Sequence, residues 1–210
     1  MRLGLLASGR GSNARAILEA IEAGELGAEA ALLVCDRHDA AVVDVAADFG
    51  VPVEFTVRDT YPDRLAQQSA IRDALLAARV DIVALAGFAA ILDPVVVDAF
   101  EERILNIHPS LLPSFAGTVA PEPQAAALRA GVKLAGCTVH VGTAQVDAGP
   151  IVGQAAVPVR PGDTVDSLAA RILVEEHRLY PQVLQAFAGG RVTITDGIAT
   201  IDPGTGLSGP

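Results

Sequence analysis

Asn106 and His108 stand two residues apart in the run Asn106-Ile107-His108-Pro109-Ser110-Leu111-Leu112-Pro113. Alternation along an extended segment points both side chains to one face, and Pro109 and Pro113 then force a rigid turn. An imidazole that can donate a proton and an amide that can donate a hydrogen bond, converging on one point, are what acyl transfer requires. Negative charge develops on the carbonyl oxygen as a nucleophile adds. The competing reading is a strand-end turn whose polar groups satisfy each other. Asp147, in Val146-Asp147-Ala148-Gly149-Pro150, supplies a third group, because strand order folds its turn back toward the end of the strand carrying His108. A carboxylate there favours the imidazolium and raises the histidine pKa above about 6.5. Standing alone, an Asp-Ala-Gly turn merely bonds its own backbone.

A second group lies near the N-terminus, in Ser8-Gly9-Arg10-Gly11-Ser12-Asn13. Glycines between a strand and a helix allow close backbone approach, Ser12 and Asn13 can cap the helix, and the free N–H groups of the first turn favour an anion such as a phosphate. The same stretch, Gly9-x-Gly11-x-x-Ala14, matches the relaxed dinucleotide fingerprint, with Asp36 near the place of a ribose-binding acid. A nicotinamide-binding oxidoreductase or a nucleotide sensor is therefore the rival function. A plain strand-to-helix turn is the third reading.

Other residues carry weaker signals. Glu176, in Glu175-Glu176-His177, can bind an amine or ribose hydroxyls, although an exposed helical acid is the default. Arg64 can hold a carboxylate ligand or be an ordinary surface arginine. Gly87-Phe88-Ala89-Ala90-Ile91-Leu92 follows a buried strand and can line a cleft for a flat heterocycle or belong to the core. His140 alternates with apolar neighbours and reads as structural. His38 reads as solvated.

The elements that must position these groups alternate in type. Apolar runs at 3–7, 31–35, 53–57 and 81–86 are each followed by helical segments at 14–23, 40–49, 61–78 and 94–99. This is the pattern of a parallel sheet covered on both faces, an α/β fold. After the strand at 105–108, the runs 136–141 and 151–159 are joined by a turn too short for a crossover helix, so they pair antiparallel. A long helix runs from about Val165 to Phe187, capped by Asp163 or Thr164 and closed by Gly189-Gly190. A terminal hairpin spans 192–195 and 198–201 across Asp196-Gly197. One domain covers residues 1–202, and 203–210 reads as a frayed tail.

The chain of 210 residues has 51% hydrophobic and 19% charged residues, no tryptophan, and a formal net charge of −10. Such an acidic surface argues against nucleic acid as a partner, while local amides and arginines can still hold a small anion. Cys35 and Cys137 lie in apolar runs and read as buried free thiols. The opening apolar run ends too early for an export signal, and no stretch reaches the roughly 20 apolar residues that a bilayer demands. A soluble cytoplasmic protein is expected, with no membrane partner. The oligomeric state stays open, a homodimer included.

Taken together, the residues resemble the folate-dependent phosphoribosylglycinamide formyltransferase family of purine synthesis. The resemblance runs from the first strand to the terminal hairpin. It rests on the Asn106–Pro113 run with the downstream Asp147-x-Gly149-Pro150, on Gly11-Ser12-Asn13, and on Glu176-His177-x-x-Tyr180-Pro181. It implies a single-domain Rossmann-like fold and formyl transfer from 10-formyltetrahydrofolate to the amine of glycinamide ribonucleotide, without a metal. By the same resemblance, Gly11, Ser12 and Asn13 cradle the ribosyl phosphate and Glu176 contacts the glycinamide. Arg64, Ala89, Ala90, Ile91 and Leu92, with Asn106, face the folate. Asn106, His108 and Asp147 form the catalytic trio.

Three features depart from that pattern. Ala89-Ala90 stands where relatives commonly carry Met-Arg, so side-chain contributions to the folate pocket are lost while backbone contacts survive. The segment Gly117–Gln124 reads as a longer, more proline-rich link to the following helix. Gly142–Gln145 lacks an acidic residue often found before the Asp147 turn. Methionyl-tRNA formyltransferase and formyltetrahydrofolate deformylase share the central motif, but each carries a further domain that 210 residues do not accommodate.

Overall fold

The computed structural model describes residues 1–202; the tail expected at 203–210 lies outside the described residues. The first five strands, β1 (Arg2–Ala7), β2 (Glu29–Cys35), β3 (Val53–Phe55), β4 (Ile82–Leu85) and β5 (Ile104–His108), pair parallel, and β6 (Leu134–Val141) and β7 (Ile151–Pro158) pair antiparallel. The seven-stranded order is β3-β2-β1-β4-β5-β6-β7. The expected parallel sheet extended by antiparallel strands is therefore present. Strand order reverses between β1 and β4, and in open α/β sheets a crevice forms outside the carboxyl ends of the strands at such a reversal. Both the glycine-rich loop after β1 and the 87–92 segment after β4 leave from that point.

Burial explains the apolar runs. Leu3, Leu5, Leu6, Val83, Ile104 and Leu105 are fully buried, because helices cover both faces and leave a strand no solvent side. The helices are α1 (Ser12–Glu22), α2 (Val42–Asp48), α3 (Arg64–Ala77), α4 (Pro94–Val97), α5 (Glu122–Ala130) and α6 (Val165–Ala188). α3 starts three residues later than the apolar pattern implies, because Arg58–Thr60 forms a 3₁₀ turn and Asp63 is the residue that caps, accepting the Ala66 N–H at 2.8 Å. At α6 the cap is Thr164, which exchanges side-chain bonds with Ser167. Asp163 instead binds Arg171 at 2.8 Å, and that guanidinium holds its carboxyl far below the usual range. The strands β8 (Val192–Thr195) and β9 (Ile198–Ile201) form the expected hairpin.

The link after the Asn106–Pro113 run is shorter than its prolines imply. Pro123 and Gln124 already belong to the first turn of α5, where a proline lacks only an N–H that has no helical acceptor anyway. Cys35 and Cys137 are buried free thiols, and burial pushes Cys137 up to about 12. Among the described residues no helix is long and apolar enough to cross a membrane.

Candidate active site

Asn106 and His108 lie on β5 with Ile107 between them, as alternation requires, and His108 is 3% exposed. Three features hold the turn that follows. Thr138 Oγ1, fully buried on β6, donates to the Ser110 carbonyl at 2.7 Å and accepts the Leu112 N–H at 3.0 Å. Gln154 on β7 donates to the Leu112 carbonyl at 3.0 Å. The Pro109–Pro113 turn is thus fastened to two neighbouring strands rather than held by proline stiffness alone.

Asp147 reaches the same point from the β6–β7 turn. Its backbone takes φ +53°, the left-handed region that aspartate tolerates better than most residues. Two residues on, a Cβ at Gly149 would stand 1.9 Å from the Val141 carbonyl oxygen. Only glycine lets this turn close. The result sets Asp147 Oδ2 3.3 Å from His108 Nδ1, and the same oxygen accepts the Gly117 N–H at 2.8 Å. His108 Nε2 lies 3.3 Å from the Phe115 carbonyl.

Both ring nitrogens of His108 therefore face acceptors. Burial nevertheless lowers its pKa below the ordinary 6.5, against the opposing pull of the Asp147 charge and the Phe115 carbonyl. The sequence argument gives the right sign for Asp147 and the wrong net result. It counts the carboxylate but not the loss of water around a ring that is almost wholly enclosed.

His140, read from sequence as structural, belongs to this cluster. It is the register partner of Asn106 across β5 and β6. Its Nδ1 donates to the Val141 carbonyl at 3.0 Å, which leaves Nε2 to accept from Asn106 Nδ2 at 3.1 Å. Asp147 Oδ1 is 3.4 Å from the same Nε2. Burial pushes the His140 pKa down, so a neutral ring orients the Asn106 amide and leaves that amide a second N–H. The signal that could reveal this is register, which alternation within one strand does not contain.

The trio opens into a cleft of about 960 Å³. Gly11, Ser12 and Asn13 line it. Gly11, not Ser12 or Asn13, is the N-cap of α1, at φ +76° and with no side-chain cap. A Cβ on it would meet Val42 Cγ2 at 2.7 Å. The first-turn N–H groups of Ser12, Asn13 and Ala14 thus lack both a helical acceptor and a cap. Free donors at a helix start are the groups an anion would meet. Asn13 instead donates from Nδ2 to Glu176 Oε2 at 2.8 Å, and its Oδ1 is buried without a partner.

Glu176 is 7% exposed, which overturns its reading as an exposed helical acid. Burial raises its pKa, with the Asn13 bond working against the rise. Among the described residues Arg10 is the one arginine or lysine that lines the cleft, which also takes in the carboxylates of Asp147, Asp166 and Glu176. It has no ion-pair partner among the described residues. Sequence reading placed no role on it.

The 89–92 segment also lines the cleft. Ala89 N–H donates to Ser8 Oγ at 2.8 Å, Ile91 is 59% exposed and Leu92 is 9% exposed. Arg64 is not in the cleft wall; it donates to the Ile91 carbonyl at 2.9 Å from α3. It is beside the expected folate segment rather than part of its surface. His38 is exposed and packs on Phe55 with ring centroids 4.5 Å apart.

Known proteins resemble this chain over nearly its whole length. A family profile described as formyl transferase matches residues 1–184. The chain is 35% identical to phosphoribosylglycinamide formyltransferase of Haemophilus influenzae, over 96% of this chain and 93% of that protein. It is 40% identical to the trifunctional purine biosynthetic protein adenosine-3 of Bos taurus over 92% of its own residues, and spans 19% of that longer relative. The crystal structure of glycinamide ribonucleotide transformylase 1 from Symbiobacterium toebii superposes with a TM-score of 0.92 at 46% identity, covering 96% of this chain and 93% of that one. A glycine-rich loop that sequence leaves open to a dinucleotide is thereby placed in another lineage: the chain belongs to the formyl transferase family, among the phosphoribosylglycinamide formyltransferases.

Proposed function

We propose that residues 1–202 form one formyltransferase domain that moves the formyl group of 10-formyltetrahydrofolate to the amine of glycinamide ribonucleotide, in the cytoplasm. The observation that carries this reading is the convergence of Asn106, His108 and Asp147 in one cleft that is also lined by the uncapped start of α1 and by the 89–92 segment. A phosphorylated amine fits the first lining, and a flat heterocycle fits the second.

In this reading the ribonucleotide phosphate meets the uncapped N–H groups of Ser12 and Asn13, with Arg10 adding the cation. The Glu176 carboxylate accepts an N–H of the glycinamide amine and aims its lone pair at the formyl carbon. The C–N bond to glycinamide forms as the formyl oxygen takes up negative charge. Asn106, through the N–H not engaged by His140, and protonated His108 stabilise that oxygen. The bond from the formyl carbon to N10 then breaks, N10 receives a proton, and the attacking nitrogen loses one. For His108 Nε2 to reach the oxygen, the Phe115 carbonyl at 3.3 Å must give way. Asp147 keeps its hold on Nδ1 meanwhile.

Ala89 and Ala90 leave the folate end to backbone contacts and to Ile91 and Leu92, and Arg64 meets the glutamate end of the folate from the rim. The test is a formyl-transfer assay with both substrates titrated. Product formation that saturates in each supports the reading; no transfer to glycinamide ribonucleotide by folded protein refutes it.

A further inference from the structure

The two loops that meet in the cleft are joined through one small side chain. Ser8 follows the last residue of β1 and is 7% exposed. Its N–H donates to the Gly87 carbonyl at 3.0 Å, and its Oγ accepts the Ala89 N–H at 2.8 Å. The first bond adds a rung beyond the β1–β4 ladder, one step past Ala86 N–H to Leu6 C=O at 2.8 Å. The second fixes the start of the 89–92 segment. One residue after Ser8 the chain enters the glycine-rich loop.

The glycine-rich loop is tied to α2 by Val42 N–H, which donates to the Gly9 carbonyl at 3.1 Å, but at the junction itself the glycines have open space where a side chain would pack. A Cβ built on Gly9 finds no atom within 4 Å, and Gly87 is equally open at φ +84°. The far end of the 89–92 segment is held from a different element: Gln68 Oε1 on α3, fully buried, accepts the Asp93 N–H at 3.0 Å. That tie leads away from the glycine-rich loop. With open glycines on both sides of the junction, the Ser8 backbone bond to Gly87 and its hydroxyl bond to Ala89 set where one loop lies relative to the other, and only the second is a side-chain bond.

We propose that Ser8 is a positioning residue that couples the two substrate sites, an inference that rests on the formyl-transfer reading above. Ordering of the glycine-rich loop by the ribonucleotide phosphate is passed through Ser8 Oγ to the Ala89 amide, and ordering of the 89–92 segment by folate is passed back. Each ligand therefore tightens the other, by the same factor in both directions. The hydroxyl touches neither reacting group. Its loss leaves the chemical step intact and weakens the assembly of the ternary complex.

The experiment measures the dissociation constants of glycinamide ribonucleotide and of tetrahydrofolate by calorimetry, each alone and with the other saturating. It is run on the wild type, Ser8→Ala and Ser8→Thr. The wild type should show mutual tightening of about five-fold or more. Ser8→Ala should bring the factor to about one, raising both Michaelis constants with kcat changed less than about two-fold, and Ser8→Thr, which keeps the acceptor, should restore coupling.

Should Ser8→Ala not fold, hydrogen exchange in the wild type replaces it: glycinamide ribonucleotide alone should slow exchange of the Ala89 amide. Independent binding in the wild type, an unchanged factor in Ser8→Ala, or an Ala89 amide indifferent to the ribonucleotide overturns the coupling. In those cases both ligands still bind and the formyl-transfer reading stands. A wild type that binds neither ligand removes both.

Discussion

Asp147 Oδ2 stands 3.3 Å from His108 Nδ1, with the two side chains 7% and 4% exposed. Burial and the carboxylate pull the ring in opposite directions, and burial prevails. Asp147→Asn keeps the shape and leaves only the Phe115 carbonyl working against burial, so the His108 pKa falls further. As an acid His108 works only while protonated; the basic limb of the pH–rate profile therefore moves to lower pH, and turnover near neutrality drops by about 100-fold or more. An NMR titration of His108 in both proteins checks this, equal pKa values being the adverse result.

The same depression has a consequence for stability. A histidine whose pKa is lowered by folding contributes fully above 6.5, where the unfolded ring is neutral as well. It loses that contribution as pH falls below 6.5, where the unfolded ring takes up a proton that the folded ring refuses. His140 is lowered in the same direction. Glu176, raised by burial, works the other way, so the test is differential: between pH 7 and pH 5 the melting temperature of His140→Gln should fall less, or rise more, than that of the wild type.

Replacing His108 by Ala should cost about two or more orders of magnitude in turnover. Position at a strand end suggests little packing loss. The ring is in fact 3% exposed, so its removal also leaves a cavity and should lower the melting temperature by several degrees. Wild-type turnover in the folded variant would end its role as acid.

Glu176→Gln separates stability from function. The raised pKa marks a carboxylate whose charge is disfavoured by burial, while the Asn13 bond at 2.8 Å survives an amide. At neutral pH the variant should be more stable, by about 1 kcal/mol, and should bind glycinamide ribonucleotide at least ten-fold more weakly. Denaturant melts and calorimetry give the two numbers.

Charge at the phosphate end can be tested from both sides. Arg10→Gln should raise the Michaelis constant for the ribonucleotide several-fold and flatten its dependence on salt, because the lost attraction is the screened one. Ser12→Asp puts a fixed anion at the uncapped helix start and should raise that constant far more than the constant for folate. Equal losses for both substrates would point to a collapsed loop.

The sequence carries the pieces of this site that depend on local periodicity. Alternation alone sets Asn106 and His108 on one face, and the apolar runs give the strand order its raw material. Groups that depend on register or enclosure are another matter. His140 reaches Asn106 only because β5 and β6 pair in one particular alignment. Glu176 looks like any helical acid until α6 is laid against the cleft, and the net pKa of His108 depends on how much water the surrounding elements exclude. Within 117–124, Pro123 and Gln124 belong to α5, and sequence does not distinguish a helix-starting proline from a loop proline without the end of the preceding turn.

Tyr180 is fully buried one helical turn beyond Glu176, and its hydroxyl lies 2.7 Å from the Leu105 carbonyl and 3.3 Å from that of Leu85. It thereby moors α6 to the two central strands β4 and β5. Sliding the helix along its axis, the shear motion by which many enzymes close on a ligand, would unmoor that hydroxyl in a place with no water to replace the bond. α6 thus works as a fixed rail that delivers the Glu176 carboxylate to a constant depth. Any change in that depth would have to break the Tyr180 bonds first.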